Sequence, residues 1–584
     1  MKKSTLLLTL SLFFIGIALW SNPGLGDKPG EKDGQEVNKE QEITFWSDMP
    51  AGELAQKLLS KMDYEQMLGQ VFMFGYSGDR PDEDTLAWIR ERGIAGIKVF
   101  GWNSKNLEVL ARTVTSLQKE AQKSALKIPL LISTDQEGGW VRHIQGETSI
   151  TAGNLALGAT GRPFEAYETG YYIAKELAAL GINMNFAPTV DIYSRIANTV
   201  IGPRAFSSDP MKTAILGSAY YHGMKDIGVI ATAKHYPGHG ATDIDSHGGL
   251  PRIRIDESTL WERELIPYRV LIKEGLPAIM SGHLSFPDII EKNLPASLSS
   301  FFQQKLLRER LEFEGVLVTD DLYMQGVMQW SKSIEAICKK ALNVGNDIIL
   351  LSESPKTNGE IWKTLYSAMQ EDTAFRERIR ESVYRILKLK LNYLKGEKTV
   401  PLYPVETNGY ASIPSKEAEQ FFFNTACRSV TVIRDKHIPF APKKNEKLLL
   451  AGQLQLFFDE GKKAYPEADT FYFPYSPFYY YRQQDLRRLR NKAADYDTVM
   501  YCLANPNSAQ ILSQLKNLNV NLIVFSTLNP GYILKEPWVE SALAVYGYGD
   551  ESFKAGFGVL KGEIEARGSL PIQLSQTTGN TGGE

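Results

Sequence analysis

Between Lys234 and Pro251 the chain runs KHYPGHGATDIDSHGGLP, which holds three of its seven histidines, two aspartates and four glycines. Two chemistries suit such a stretch. His235, His239, Asp243, Asp245 and His247 are metal-ligand types. However, no HExxH-like helical spacing occurs, and Lys234 would set a positive charge beside the ligands. The alternative is proton transfer. Asp245 precedes His247 by two residues, and in extended backbone such residues point to one side. The carboxylate would orient the imidazole and favour its protonated form, which makes a competent general acid near neutral pH. Gly238, Gly240, Gly248 and Gly249 would leave the loop mobile enough for His247 to act as acid and then as base.

A proton donor needs a partner that makes the new bond. GVLVTDDLYMQG places Asp320 at the end of an apolar run. Near the positive Lys234, Arg204 and His235 this carboxylate would stay ionised and could attack an electrophilic carbon. A carboxylate nucleophile with a separate proton donor is the arrangement of a retaining glycosidase. The plainer role for Asp320 is a helix N-cap, which Asp321 can fill as well.

These residues need a scaffold that brings them together. From about residue 50 to 395, short apolar runs alternate with amphipathic stretches. The predicted strands are Gln70–Gly75, Gly96–Phe100, Pro129–Thr134, Asn183–Pro188, Ala231–His235, Ala278–His283, Gly315–Asp321 and Asp347–Ser352. Helices are predicted in EAYETGYYIAKELAALG and ESTLWERELIPYRVLIKEG. Wholly apolar strands separated by helices predict a parallel sheet covered on both faces, and eight such units fit a TIM-like (β/α)8 barrel. Asp135, Lys234-His235, His283 and Asp320-Asp321 all follow apolar runs, so a barrel would gather them at one mouth. After a stretch rich in Pro, Gly and charge, six further apolar runs predict a smaller C-terminal α/β sandwich domain. The aromatic segment Phe471 to Tyr481 fits core or interface packing better than a sugar platform.

A length of 584 residues exceeds one core, which supports two domains. A net charge of −3 argues against a nucleic-acid partner. Three widely spaced cysteines, Cys338, Cys427 and Cys502, offer neither a disulfide framework nor zinc spacing. Two lysines followed by an apolar run from Thr5 to Trp20 predict a signal peptide or membrane anchor over residues 1–21. A flexible tether over 22–44 follows, then a catalytic barrel domain over 45–396, a linker over 397–420, the sandwich over 421–576 and a tail over 577–584. This pattern predicts an exported protein, periplasmic, extracellular or membrane-anchored.

KHYPGHG…DSH resembles the KH(F/I)PGHG…DSH loop of glycoside hydrolase family 3, in its NagZ-type β-N-acetylhexosaminidase branch. STDQEGGWVRH, INMNFAPTVDI, IGPRAFSSDP, IMSGHLSFP and VLVTDDLYMQG resemble further family segments in the family's order, and GYGDESFKAGFGVLKGEIEARGSLPIQL is similar to its closing motif. The resemblance implies a nucleophile at Asp320, a proton-donor dyad of Asp245 and His247, and substrate contacts from Asp135, Arg204, Lys234 and His235. It implies a retaining exo-β-N-acetylglucosaminidase of the two-domain exported kind, acting on peptidoglycan fragments or chitooligosaccharides through a glycosyl-Asp320 intermediate. It implies no metal or organic cofactor, and a carbohydrate as substrate; the chain is expected to be a monomer. His143 stands where the family usually has arginine, with Arg142 one position earlier, and Trp140 also replaces a common arginine. The rival activities are β-glucosidase, β-N-acetylglucosaminide phosphorylase and a non-catalytic cell-wall-binding role.

Overall fold

Eight short parallel strands close into a barrel in which every strand pairs with its neighbours in sequence. They are β1 (Phe72–Phe74), β2 (Gly96–Lys98), β3 (Leu131–Thr134), β4 (Met184–Asn185), β5 (Ile230–Tyr236), β6 (Ala278–Ser281), β7 (Val316–Asp321) and β8 (Ile348–Leu351). The computed structural model describes residues 42–198, 200–242, 248–473 and 483–573. The predicted segment over 1–21 and nearly all of the tether lie outside them. No helix among the described residues is long and apolar enough to cross a membrane.

The strands are apolar because helices cover their outer face while side chains fill the interior. Those helices follow local rules. Asp209 accepts the Lys212 N–H and caps α1 (Pro210–Ile227), Pro210 occupies its first turn, and Gly228 ends it at φ 86°. The predicted helix over residues 257–275 is instead broken, with α2 (Ile266–Lys273) as its last part. Pro267, in the first turn of α2, lacks the N–H that a continuous helix needs.

The second sheet has six strands: β9 (Thr431–Asp435), β10 (Leu448–Gly452), β11 (Asp469–Tyr472), β12 (Thr498–Leu503), β13 (Asn521–Ser526) and β14 (Ser541–Ala544). Their order is β9-β14-β13-β12-β10-β11, with β9 antiparallel and the others parallel. The stretch over 397–420 carries helical turns, and Val400 and Ala418 are buried in the barrel's core. Phe471 and Phe473 are core residues of the second sheet; the aromatic residues from 475 to 481 lie outside the described residues. Cys338 and Cys502 are buried and Cys427 is partly so, all as free thiols.

Two buried acidic groups mark opposite ends of the barrel. At the N-terminal end of β8, Asp347 meets Arg308 and Arg378, each at 2.7 Å, and Arg385 at 3.1 Å, and it accepts the Leu317 amide. Removing this carboxylate would leave three cations around an empty centre. Asp347→Ala is therefore expected to cost about 3–5 kcal/mol, read as a lower thermal midpoint.

Beyond β5 the chain turns over Glu264, which is buried. One of its oxygens pairs with Arg263 and the other has no partner among the described residues. Burial, with Asp191 nearby, outweighs Arg263 and pushes the carboxyl up to about 7. Between the ordinary value of 4.5 and about 7 the unfolded chain ionises while the folded one does not, so this group's stabilisation is lost as pH rises. Glu264→Gln does not titrate. Its stability relative to wild type, followed through the thermal midpoint, should climb between about pH 5 and about pH 8, by up to about 3 kcal/mol.

Candidate active site

Lys234 and His235 are consecutive, and a regular strand would send them to opposite faces. The pairing of β5 with β6 slips between Ala233 and Tyr236, a bulge that re-aims both side chains. A similar slip occurs where β7 meets β8, next to Asp320. The two strands that carry most of the candidate chemistry are thus irregular at the barrel mouth.

Lys234 Nζ lies 2.5 Å from Asp135 and 2.6 Å from Glu137. Lys98 Nζ holds the other Asp135 oxygen at 2.6 Å. Arg204 grips Glu137 with two hydrogen bonds of 2.9 and 2.7 Å, and a guanidinium nitrogen lies 3.1 Å from His235 Nε2. His235 Nδ1 lies 2.7 Å from Asp191. Asp135, Arg204, Lys234 and His235 therefore come together in one lattice of alternating charge. Burial opposes ionisation of Asp135, yet Lys234, Lys98 and His143 hold it well below the usual carboxylate value. Glu137 is likewise penalised by burial, but Arg204 and Lys234 bring it to about 2.

Asp320 is next to this lattice. Burial would raise its pKa; the imidazoles of His235 and His283, the Asp321 amide and Lys98 reverse the effect and leave it lowered. Its side chain accepts the Asp321 amide at 2.9 Å, and it caps no helix among the described residues. Asp321 is committed elsewhere: one of its oxygens accepts the amides of Tyr323 at 3.1 Å and Ser352 at 3.0 Å. His283 Nε2 donates to the Asp321 carbonyl at 3.0 Å and its Nδ1 meets Ser297 Oγ at 2.8 Å, which pins the strand end that bears Asp320.

His143, not Arg142, faces the lattice. Its Nδ1 lies 3.6 Å from Asp135, and burial, with Lys98 and Lys234, pushes it down to about 4. Arg142 turns back on its own loop, donating to Thr148 Oγ1 and the Gly146 carbonyl. Beside His143, Phe100 and Trp102 stack at 4.5 Å, and Trp102 and Trp140 are exposed.

In the glycine-rich stretch, Gly238 and Gly240 answer a packing demand rather than one for mobility. A Cβ on Gly240 would lie 1.6 Å from the Ile192 carbonyl; Gly238, at φ 137°, would meet Glu264 at 2.8 Å. His239 is buried, neither ring nitrogen has a partner among the described residues, and burial lowers it to about 4. Asp245 and His247, with Asp243, lie outside the described residues. Sequence reasoning missed Lys98, Glu137 and Asp191 as partners. The lysine inside the apolar GIKVF and the acids of DQEGG and PTVDI were the available signals.

Comparison with known proteins points the same way. Residues 60–389 match the Glycosyl hydrolase family 3 N terminal domain. Beta-hexosaminidase A of Pseudoalteromonas piscicida is 35% identical over 363 residues, 56% of this chain and 60% of that protein. The beta-hexosaminidase of Thiobacillus denitrificans is 33% identical over 296 residues, 50% of this chain and 80% of that protein. The solved structure of a glycoside hydrolase family 3 beta-N-acetylglucosaminidase from Paenibacillus sp. str. FPU-7 superposes with a TM-score of 0.79 at 29% identity, covering 88% of this chain and 99% of that one. With an eight-stranded barrel whose mouth carries an ionised aspartate beside a buried charge lattice, and a matching family domain over more than half its length, the chain belongs to glycosyl hydrolase family 3.

Proposed function

We propose that the protein is a retaining exo-β-N-acetylglucosaminidase that releases terminal N-acetylglucosamine from peptidoglycan fragments or chitooligosaccharides. The observation that carries this is Asp320, held ionised against burial at the barrel mouth, with its neighbour Asp321 occupied by backbone amides. The choice of sugar is supported by the names of the relatives, beta-hexosaminidase and beta-N-acetylglucosaminidase.

In the first step an Asp320 oxygen attacks the anomeric carbon. The glycosidic C–O bond breaks, and the leaving oxygen takes a proton from His247, oriented by Asp245. In the second, water attacks the same carbon, His247 accepts its proton, and the bond to Asp320 breaks. Two inversions return the original configuration. Asp135, Arg204, Lys234 and His235 bind the sugar. Their rigid ion pairs support this role, because a buried salt-bridge lattice adds little to stability and fixes donors and acceptors in advance. The apolar run behind Met1-Lys2-Lys3 supports export, which favours cell-wall glycan outside the cytoplasm as substrate.

The test compares wild type with Asp320→Asn on aryl N-acetylglucosaminide, glucoside and N-acetylgalactosaminide. Wild type should prefer the N-acetylglucosaminide, at rates independent of added inorganic phosphate. The variant should lose roughly 10³-fold or more in kcat with an unchanged thermal midpoint. Equal rates on the glucoside, acceleration by phosphate, or an active Asp320→Asn would contradict the assignment.

A further inference from the structure

The two sides of the barrel mouth carry different equipment. In the closed sheet β3 stands four strands from β7 by either path, with β2 beside it. Asp320, near the end of β7, and Asp135, just past β3, therefore lie on opposite sides of the mouth. A sugar whose anomeric carbon meets Asp320 turns position 4, across its ring, toward β2 and β3. Chitooligosaccharides and the glycan of peptidoglycan are both joined through that position. A chain that continued beyond the terminal sugar would have to pass over this rim.

The rim is built as a wall. Behind Asp135 stand His143, with Nδ1 at 3.6 Å, and Lys98, whose Nζ lies 4.4 Å from the centre of the Phe100 ring. Phe100 lies 5.6 Å from His143, and Trp102 stacks on it at 4.5 Å with the two planes 7° apart. Trp102 is 48% exposed, yet it is held: its indole N–H donates to the Tyr76 carbonyl at 2.9 Å, and Asn103 donates to the same carbonyl at 3.0 Å. Asn103 Oδ1 accepts the Phe100 amide at 2.8 Å, and the Gly146 amide donates to the Ser104 carbonyl at 3.0 Å. The loops after β1, β2 and β3 are thus tied into one piece with an indole at its edge. A tryptophan left half in water adds little to folding, so its bulk and fixed orientation point to a task at the mouth.

We propose that Trp102 is a specificity-determining residue: its indole closes the sugar site at position 4 of the terminal residue, so that only a chain end with a free 4-hydroxyl is accepted. This rests on the glycosidase assignment above, with Asp320 as nucleophile. The selection works by clash against a sugar that carries a further residue on O4, while the ion-pair lattice binds the free hydroxyls.

The experiment measures kcat/KM on 2,4-dinitrophenyl N-acetylglucosaminide and on its 4-O-methyl and 4-deoxy derivatives. The methyl group adds bulk at position 4; the deoxy sugar loses the hydroxyl and adds none. In Trp102→Ala a slot one ring thick opens over Phe100. The 4-O-methyl-to-parent ratio is expected to rise about 10-fold or more over wild type, the scale on which a pocket discriminates one methyl-sized group, and the 4-deoxy-to-parent ratio to stay within about 2-fold. A loss of folded enzyme cancels in both ratios. Trp102→Leu, which keeps an apolar contact with Phe100, should also raise the 4-O-methyl ratio and carries the test where Trp102→Ala does not fold. The proposal is overturned by an unmoved 4-O-methyl ratio in a folded variant, or by wild type cleaving the 4-O-methyl and parent sugars equally well. It is overturned as well by a 4-deoxy ratio that moves with the 4-O-methyl one, which would make Trp102 a support for the lattice. Wild type that cleaves none of the three is a different result, and overturns the glycosidase assignment itself.

Discussion

A carboxylate attacks carbon only as the anion, and burial penalises the anion. In the proposed mechanism Asp320 stands under both conditions. It is half-buried at the barrel mouth, and the surrounding protein raises the cost of its charge. The fold meets that cost with His235, His283, the Asp321 amide and Lys98. None of these would stay in place alone. His235 is held by Asp191, His283 by Ser297 and the strand end, and Lys98 by Asp135. The ion-pair lattice is thus the frame that keeps Asp320, the proposed nucleophile, charged. Breaking one member leaves its partner buried and uncompensated, so the lattice acts as a unit.

The same frame explains why both functional strands are irregular. A regular strand offers the mouth one side chain in two, whereas β5 presents two adjacent residues by slipping its register against β6. The order of the barrel is otherwise plain, and the departures sit where the chemistry is. The second domain extends the frame. Its core and the barrel's loops share one apolar cluster, and residues 43–584 form one compact unit. The long loop between β4 and α1 is thereby packed on both sides, against the barrel and against the second sheet.

Much of this was legible in the sequence, for reasons that also mark where legibility stops. Parallel barrel strands are buried on both faces, so each appears as an apolar run; all eight were found. Most of their ends were overshot by a few residues, because chain beyond the ladder, such as Val99 and Phe100, is buried as well; β5 is the exception, one residue longer at each end than expected. Asp135, Lys234, His235 and Asp320 stood out as ionisable residues ending apolar runs. Arg204 did not, since it comes from a one-turn helix, Gly202–Arg204, inside a loop. Lys98 and Asp191 matter through partners 37 and 44 residues away, spacings with no periodicity to reveal them. The glycines of the KHYPGHG segment looked like a demand for freedom, and at Gly240 the demand is for close approach to a carbonyl.

The central claim is that Asp320 forms a covalent bond to the sugar. Mass spectrometry of peptides from enzyme quenched in acid during turnover of an activated N-acetylglucosaminide tests it most directly. The account predicts one N-acetylhexosamine added to the peptide that contains Asp320, absent in Asp320→Asn. An adduct on another side chain, or turnover with no adduct at any time after mixing when the first step is made the fast one, would contradict it.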